Sequence, residues 1–293
     1  MSIGHSHGTT RSRWFSQLGH SAAKPGDAML SGEWVVRWFE CLGGFSLLLQ
    51  CLEYARLTSC TDPQGVWSWP VQRADIPDEP AWLKRLLDWL YQPHVYKAQL
   101  TVRAMAALAL MVHGNHWLIA TVLFLGTLLL LVRWRGAFNG GSDFMTLITV
   151  TGLMIAAWVG VFTDEALGWS AGLGYVALQT LSSYFVSGWV KLKRPEWRSG
   201  EAMTVFLNSG LYGPLASDSW FRRPKVALVC SWAFILWEGL FVAVLWHPAW
   251  TPAFVGVALF FHGLVFWFFG LNRFFWAWAA NLGSVFFLGQ YLS

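Results

Sequence analysis

A lysine, a glutamate and a histidine stand where this sequence is otherwise apolar, and they are the residues with chemistry to offer. Lys191 closes the run Tyr184-Phe-Val-Ser-Gly-Trp-Val-Lys191. On a helix, Tyr184, Ser187, Gly188 and Lys191 fall at i, i+3, i+4 and i+7, so they share one small, polar face. The flanking Phe185, Val186, Trp189 and Val190 are bulky and apolar. Glu238 lies near the middle of the apolar run 225–246, and His262 near the middle of 250–270. A carboxylate buried in such a run costs several kcal/mol unless it is paired or protonated, so Glu238 marks a partner or a cavity. Two arrangements meet that demand. In one, Glu238 and a neutral His262 form a structural buried pair. In the other, Lys191, Glu238 and His262 line one polar pocket, with Tyr184 and Asn272 in its wall, where burial tunes protonation for acid/base work. For Lys191 alone the plainer reading is an interfacial anchor whose ammonium snorkels to a membrane edge.

The elements that must position these residues are membrane helices. Of 293 residues 55% are hydrophobic and 12% charged, about half of the ~25% charged fraction of soluble domains. Mean hydropathy is +0.44. Apolar runs long enough to cross a bilayer recur, and strand-period alternation is absent, which excludes a membrane barrel. The fold expected is all-α, a polytopic integral membrane helical bundle of about eight transmembrane helices. The spans are 34–57, 98–112, 117–134, 144–162, 169–190, 225–246, 250–270 and 274–292. Many of the 21 tryptophans flank these runs, as an interfacial belt requires. Residues 1–32 form a polar tail without the apolar core of a signal peptide, and 33–293 form one transmembrane domain with no internal repeat.

Between the spans, several local features carry expectations. Arg37 with Glu40, and Glu53 with Arg56, are spaced to neutralise each other on the first helix. Gly43-Gly44 allows a close helix contact there. Residues 82–91 read as a short amphipathic helix lying on the membrane surface. His113-Gly-Asn-His116 is the turn of a helical hairpin, and Ser142 or Asp143 can cap the span that follows. Asp164 and Glu165 read as a solvated turn. Four cysteines, Cys41, Cys51, Cys60 and Cys230, show no metal spacing; Cys51 and Cys60 could pair in an oxidising space, and unpaired thiols are the simpler expectation. His5 and His7 lack further ligands, so no metal site is expected. No nucleophile elbow, phosphate-binding glycine loop or H-E-x-x-H motif is present. The net charge of +4 suits anionic lipid headgroups and gives no case for nucleic acid, which leaves membrane lipids and a membrane protein as partners.

The order of these landmarks resembles the HTTM domain family, the membrane domain shared with vitamin K-dependent gamma-carboxylase. Tyr184-Phe185, Ser187-Gly188, Lys191-Leu192, Trp197 and Gly200 reproduce its signature order, with about one extra residue before Trp197. Asp62-Pro-Gln-Gly65-Val66 is similar to its Asp-Gly turn, and Asn139-Gly-Gly-Ser142-Asp143 to its Asn-rich turn. Glu238 and Phe261-His262 fall where the family has an acid and a Phe-His. The resemblance runs from about Trp34 onward. It implies an HTTM-like multi-helix membrane fold, Lys191 as a candidate base, and a reduced quinone as the one cofactor suggested; the residues themselves show no cofactor. Here the Asn-rich turn reads Gly140-Gly141, and 144–162 holds no histidine, where the family's enzymes have histidines. The large extramembrane portion of the animal enzyme has no counterpart either, so complete carboxylase activity is not expected.

The function expected is a multi-pass protein of the bacterial inner (plasma) membrane with a polar intramembrane pocket that binds or acts on a lipophilic small molecule or lipid. The alternative is a non-catalytic membrane partner of a redox or peptide-maturation system; a transporter ranks third, for want of Gly/Pro-broken helices in matching halves. Charge bias places the connectors bearing Arg133, Arg135, Lys193, Arg194, Arg222 and Arg223 in the cytoplasm, whereas the resemblance places them on the opposite side.

Overall fold

The computed structural model describes residues 25–76, 78–208 and 216–292, and the side chains of most of these. Of the expected polar tail 1–32, residues 1–24 lie outside the described residues, His5 and His7 among them, whereas 25–32 are the start of a helix. Among the described residues the chain is helical throughout, with no strand. Among the described residues five helices are long and apolar enough to cross a membrane: Gly32–Arg56, Pro93–His113, Asp143–Phe162, Pro224–Leu245 and Pro248–Phe269; Trp117–Arg133 is a shorter apolar helix. By contacts the chain divides into two compact units, Met1–Gly172 and Leu173–Ser293.

The first unit contains α1 (Pro25–Arg56), α2 (Thr58–Thr61), α3 (Trp69–Arg73), α4 (Ala81–Leu90), α5 (Pro93–His113), α6 (Trp117–Arg133) and α7 (Asp143–Phe162). Helix α1 packs on α5, and Gly44 explains how closely. A Cβ on Gly44 would stand 2.5 Å from Met111 Cγ and 2.9 Å from the Ala107 carbonyl. Arg37 pairs with Glu40 at 2.7 Å, as their spacing predicts, and also donates to the Met111 carbonyl. Glu40 Oε1 accepts from the Asn115 amide at 2.7 Å, and Asn115 Nδ2 donates to the Leu153 carbonyl. The hairpin turn is therefore tied to α1 and α7, while Gly114 supplies its positive φ of 83°.

A buried arginine anchors a hydrogen-bonded network inside this unit. Arg103 is 1% exposed and donates to the carbonyl of Leu47, Cys51 Sγ, Gln50 Oε1 and Thr127 Oγ1. Gln50 in turn donates to Asp143 Oδ1 at 3.2 Å. The cap expected from Ser142 or Asp143 is shared differently. Asn139 Oδ1 accepts from the Gly141 and Ser142 amides, Asp143 Oδ2 accepts from the Asn139 amide, and the Ser142 side chain makes no cap bond. All four cysteines are free thiols.

Helix α4 packs Leu87, with Leu83 and Leu90, on an aromatic cluster of Tyr54, Trp69, Tyr91, Tyr96 and Trp134. Trp82, Leu86 and Trp89, at i, i+4 and i+7, form its exposed stripe, so the helix is amphipathic with an apolar outer face. Arg73 donates to the Asp88 carboxylate at 2.7 Å and holds that carboxyl below its usual range. Arg133, counted by sequence as a connector charge, is 1% exposed and bonds Gln72 Oε1 and the Trp67 carbonyl.

Helix α8 (Glu165–Lys193) begins in the first unit and ends in the second. Asp164 Oδ1 accepts from the Leu167 amide, so the acidic turn is the N-cap of this helix. The second unit adds α9 (Pro195–Arg198), α10 (Glu201–Leu207), α11 (Pro224–Leu240), α12 (Thr251–Phe269) and α13 (Asn272–Leu292). Helix α11 runs on into a 3-10 turn, Phe241–Leu245, and Gly270 with φ 67° ends α12 in a left-handed cap before α13 turns back along it.

Candidate functional site

The site lies in the second unit and begins with two glycines. Gly188 of α8 meets the backbone of α11 so closely that an added Cβ would stand 2.4 Å from Gly239 N and 2.8 Å from Gly239 Cα. Three residues on from Gly188, Lys191 reaches Glu238, the residue before Gly239. Lys191 Nζ lies 2.5 Å from Glu238 Oε2 and donates to Ser187 Oγ at 2.6 Å. The Lys191 side chain is 16% exposed and that of Glu238 7%. The ammonium also sits 5.2 Å from the centre of the Trp197 ring, a cation–π contact. The shared face read from i, i+3, i+4 and i+7 is thus the face that meets α11.

Two turns before Lys191 on the same face, the Tyr184 hydroxyl and His262 Nε2 are 2.7 Å apart, both residues 2% exposed. Tyr184 stacks on Phe241 at 4.3 Å and packs edge-on against Trp237; His262 stacks on Trp278 at 4.7 Å. The pairing expected between Glu238 and His262 is not formed. Glu238 is held by Lys191, His262 by Tyr184, and His262 Nδ1 has no hydrogen-bond partner. The reason is the glycine crossing. It brings an ammonium within reach of the carboxylate, and a charged donor is a stronger partner than a neutral imidazole.

Beside the ion pair opens a cavity of about 760 Å³. Lys191 and Glu238 are its charged lining; the rest is apolar or aromatic, including Trp197, Phe206, Phe234 and Phe261. Its size is that of a small-molecule site, and two convergent charges in an apolar wall are the usual recipe for one. Tyr184 and His262 stand behind this wall and do not line it. Asn272 does not line it either; it opens α13, and its Oδ1 accepts from the Arg273 amide at 2.6 Å. No group of three or more His, Cys, Asp or Glu is arranged to hold a metal among the described residues.

Comparison with family models, curated proteins and solved structures returns no match to this chain. The functional reading therefore rests on the site. Its aromatic support, Trp237, Phe241 and Trp278, was not legible in a sequence with 21 tryptophans, since nothing in the spacing separates these from belt residues. Gly188 is the glycine the crossing requires; at Gly239 only the backbone takes part, since a Cβ there would meet open space.

The glycine crossing yields a first prediction. Gly188→Ala must push α8 off α11, because the added methyl meets backbone that cannot rotate away. A loss of about 1–3 kcal/mol is expected from such overpacking, read in detergent-solubilised protein by thermal unfolding. Gly239→Ala has open space around its Cβ and should be within the error of wild type.

Proposed function

We propose that this chain is an HTTM-like membrane protein of the bacterial inner membrane whose C-terminal unit binds, or acts on, a lipophilic small molecule or lipid. In this reading Trp117–Arg133, α8 and α13 cross the membrane beside the five longer apolar helices, giving eight spans. What supports the count is that a helix stands at each of the eight expected positions. What carries the functional reading is the cavity: a largely apolar chamber in which one buried ion pair is the polar feature.

Lys191 serves first as a binding group, since two of its three donors are engaged by Glu238 and Ser187. A ligand's polar end would be read by the third donor and by the carboxylate, with its apolar body against the phenylalanines. As a base, the role the resemblance suggests, Lys191 would first have to be released from Glu238. Complete carboxylation is not part of this proposal.

Ala233 lines the chamber and carries no polar group of its own, which makes it the place for a blocking substitution. A fluorescent NBD-labelled fatty alcohol should bind wild-type protein saturably. Ala233→Trp should weaken that binding by about tenfold or more, the size of an effect worth ~1.4 kcal/mol. Equal, non-saturable uptake by both proteins would sink the proposal.

A further inference from the structure

The connector after Lys191 does not leave the membrane zone where the sequence says it should. Its contacts with α11 run backward along that helix from Gly239 to Leu228. Gly188 meets Gly239, Lys191 meets Glu238, the Ser231 hydroxyl donates to the Trp197 carbonyl, and Trp232 Nε1 donates to the Arg198 carbonyl at 3.1 Å. A Cβ on Gly200 would stand 2.8 Å from Leu228 Cα, and that glycine's φ of 82° turns the chain there. Helix α8 ends at Lys193, yet α9 and α10 continue alongside α11 toward its start. Measured from Pro224 at 1.5 Å per residue, Trp232 lies about 12 Å along α11 and Glu238 about 21 Å.

Where α11 crosses the membrane, residues 194–200 are therefore broken backbone at membrane depth. Such backbone is tolerated only where protein buries it or water fills the space beside it. Protein buries Gly200 and half-buries Trp197 but leaves the rest of this stretch uncovered. Lys193, Arg194, Glu196, Arg198 and Ser199 are all exposed, whereas the α11 residues Val229 and Leu236, at comparable depth, present 68% and 53% exposed apolar side chains to the surroundings. The two kinds of surface ask for two kinds of solvent. A second, more open hollow of about 520 Å³, lined by Glu196, Trp197, Glu201, Ala202, Val205 and Phe206, lies along the charged side. Trp197 and Phe206 are walls of both hollows.

We infer that the segment from Arg194 to Leu207 is a re-entrant element lining a water-filled vestibule, which descends beside α11 from the membrane face at Pro224 to Trp197 and the Lys191–Glu238 pair. The inference rests on reading α11 as a span and deepens the proposed binding role. The pair stands between an apolar chamber, reached by lipophilic molecules, and an aqueous path, reached by small polar water-borne solutes. Discontinuous helices at membrane depth carry binding sites in transporters for the same physical reason.

Single cysteines placed in the full chain test this, read peptide by peptide by mass spectrometry so that the native thiols serve as internal references. Sealed vesicles of each orientation are treated with a charged, membrane-impermeant methanethiosulfonate. Ser219→Cys reports bulk water, and Val229→Cys and Leu236→Cys report lipid at the same depth. Arg198→Cys and Glu196→Cys should react within about tenfold of Ser219→Cys and about 100-fold faster than Val229→Cys, because the thiolate that reacts cannot form in hydrocarbon. Reaction at 196 and 198 as slow as at 229 would overturn the vestibule while leaving α11 a span and the binding proposal intact. Fast reaction at 229 and 236 would overturn the span itself and the vestibule with it.

Discussion

Glu238→Ala is expected to destabilise the second unit by about 3–5 kcal/mol, the cost of leaving a buried charge without its partner. Lys191 keeps only the Ser187 hydroxyl and the Trp197 ring in that variant, with its side chain 16% exposed. The electrostatic origin of the loss has its own signature. Replacing both members, Lys191→Met with Glu238→Leu, should recover most of it, because a matched apolar pair is often as stable as a buried ion pair or more so. Thermal unfolding in detergent reads both variants. A double variant no more stable than Glu238→Ala would mean the loss came from packing, and the pair would lose its standing as the organising feature of the site.

Arg103→Ala should cost the first unit a similar amount, about 3–5 kcal/mol, by opening a cavity and stranding several buried acceptors together. The guanidinium serves Leu47, Gln50, Cys51 and Thr127, and Gln50 passes the network on to Asp143. Arg103→Met should lose less than Arg103→Ala, since it keeps the volume while giving up the bonds. Arg103→Lys should recover only part, because a point charge cannot replace a planar fork with several donors. With Gln50→Ala the effects should fall short of additive, as the two residues share one bond. A change within about 0.5 kcal/mol for Arg103→Ala would contradict the network reading.

Much of the helical architecture was legible because apolar run length is a strong signal. The expected span 144–162 lies within Asp143–Phe162, and 250–270 nearly coincides with Pro248–Phe269. Local spacing read well too: Arg37 pairs with Glu40, and Gly44 packs under Met111. The site was half legible. Spacing placed Tyr184, Ser187, Gly188 and Lys191 on one face, and depth singled out Glu238 and His262. Which acid met which base depended on the crossing of Gly188 and Gly239, a backbone approach with no sequence pattern of its own. That crossing separated two pairs, Lys191–Glu238 and Tyr184–His262, where a Glu238–His262 pair or one combined pocket was expected. Arg103 was overlooked although a lone arginine in the apolar run 98–112 carries the same warning as Glu238. Reading 194–224 as a long connector followed from its Gly, Ser, Pro and Trp content; the course of 194–207 along α11 is visible only in the contacts.

The central claim is that the chamber beside Lys191 and Glu238 holds a lipophilic molecule. Native mass spectrometry of protein released gently from its own membranes tests it most directly, with wild type and Ala233→Trp prepared in parallel. The account predicts a lipophilic adduct on the wild-type protein that persists at collision energies stripping bulk lipid and is missing from Ala233→Trp. An adduct retained equally by both proteins, or absent from the wild type, would contradict it.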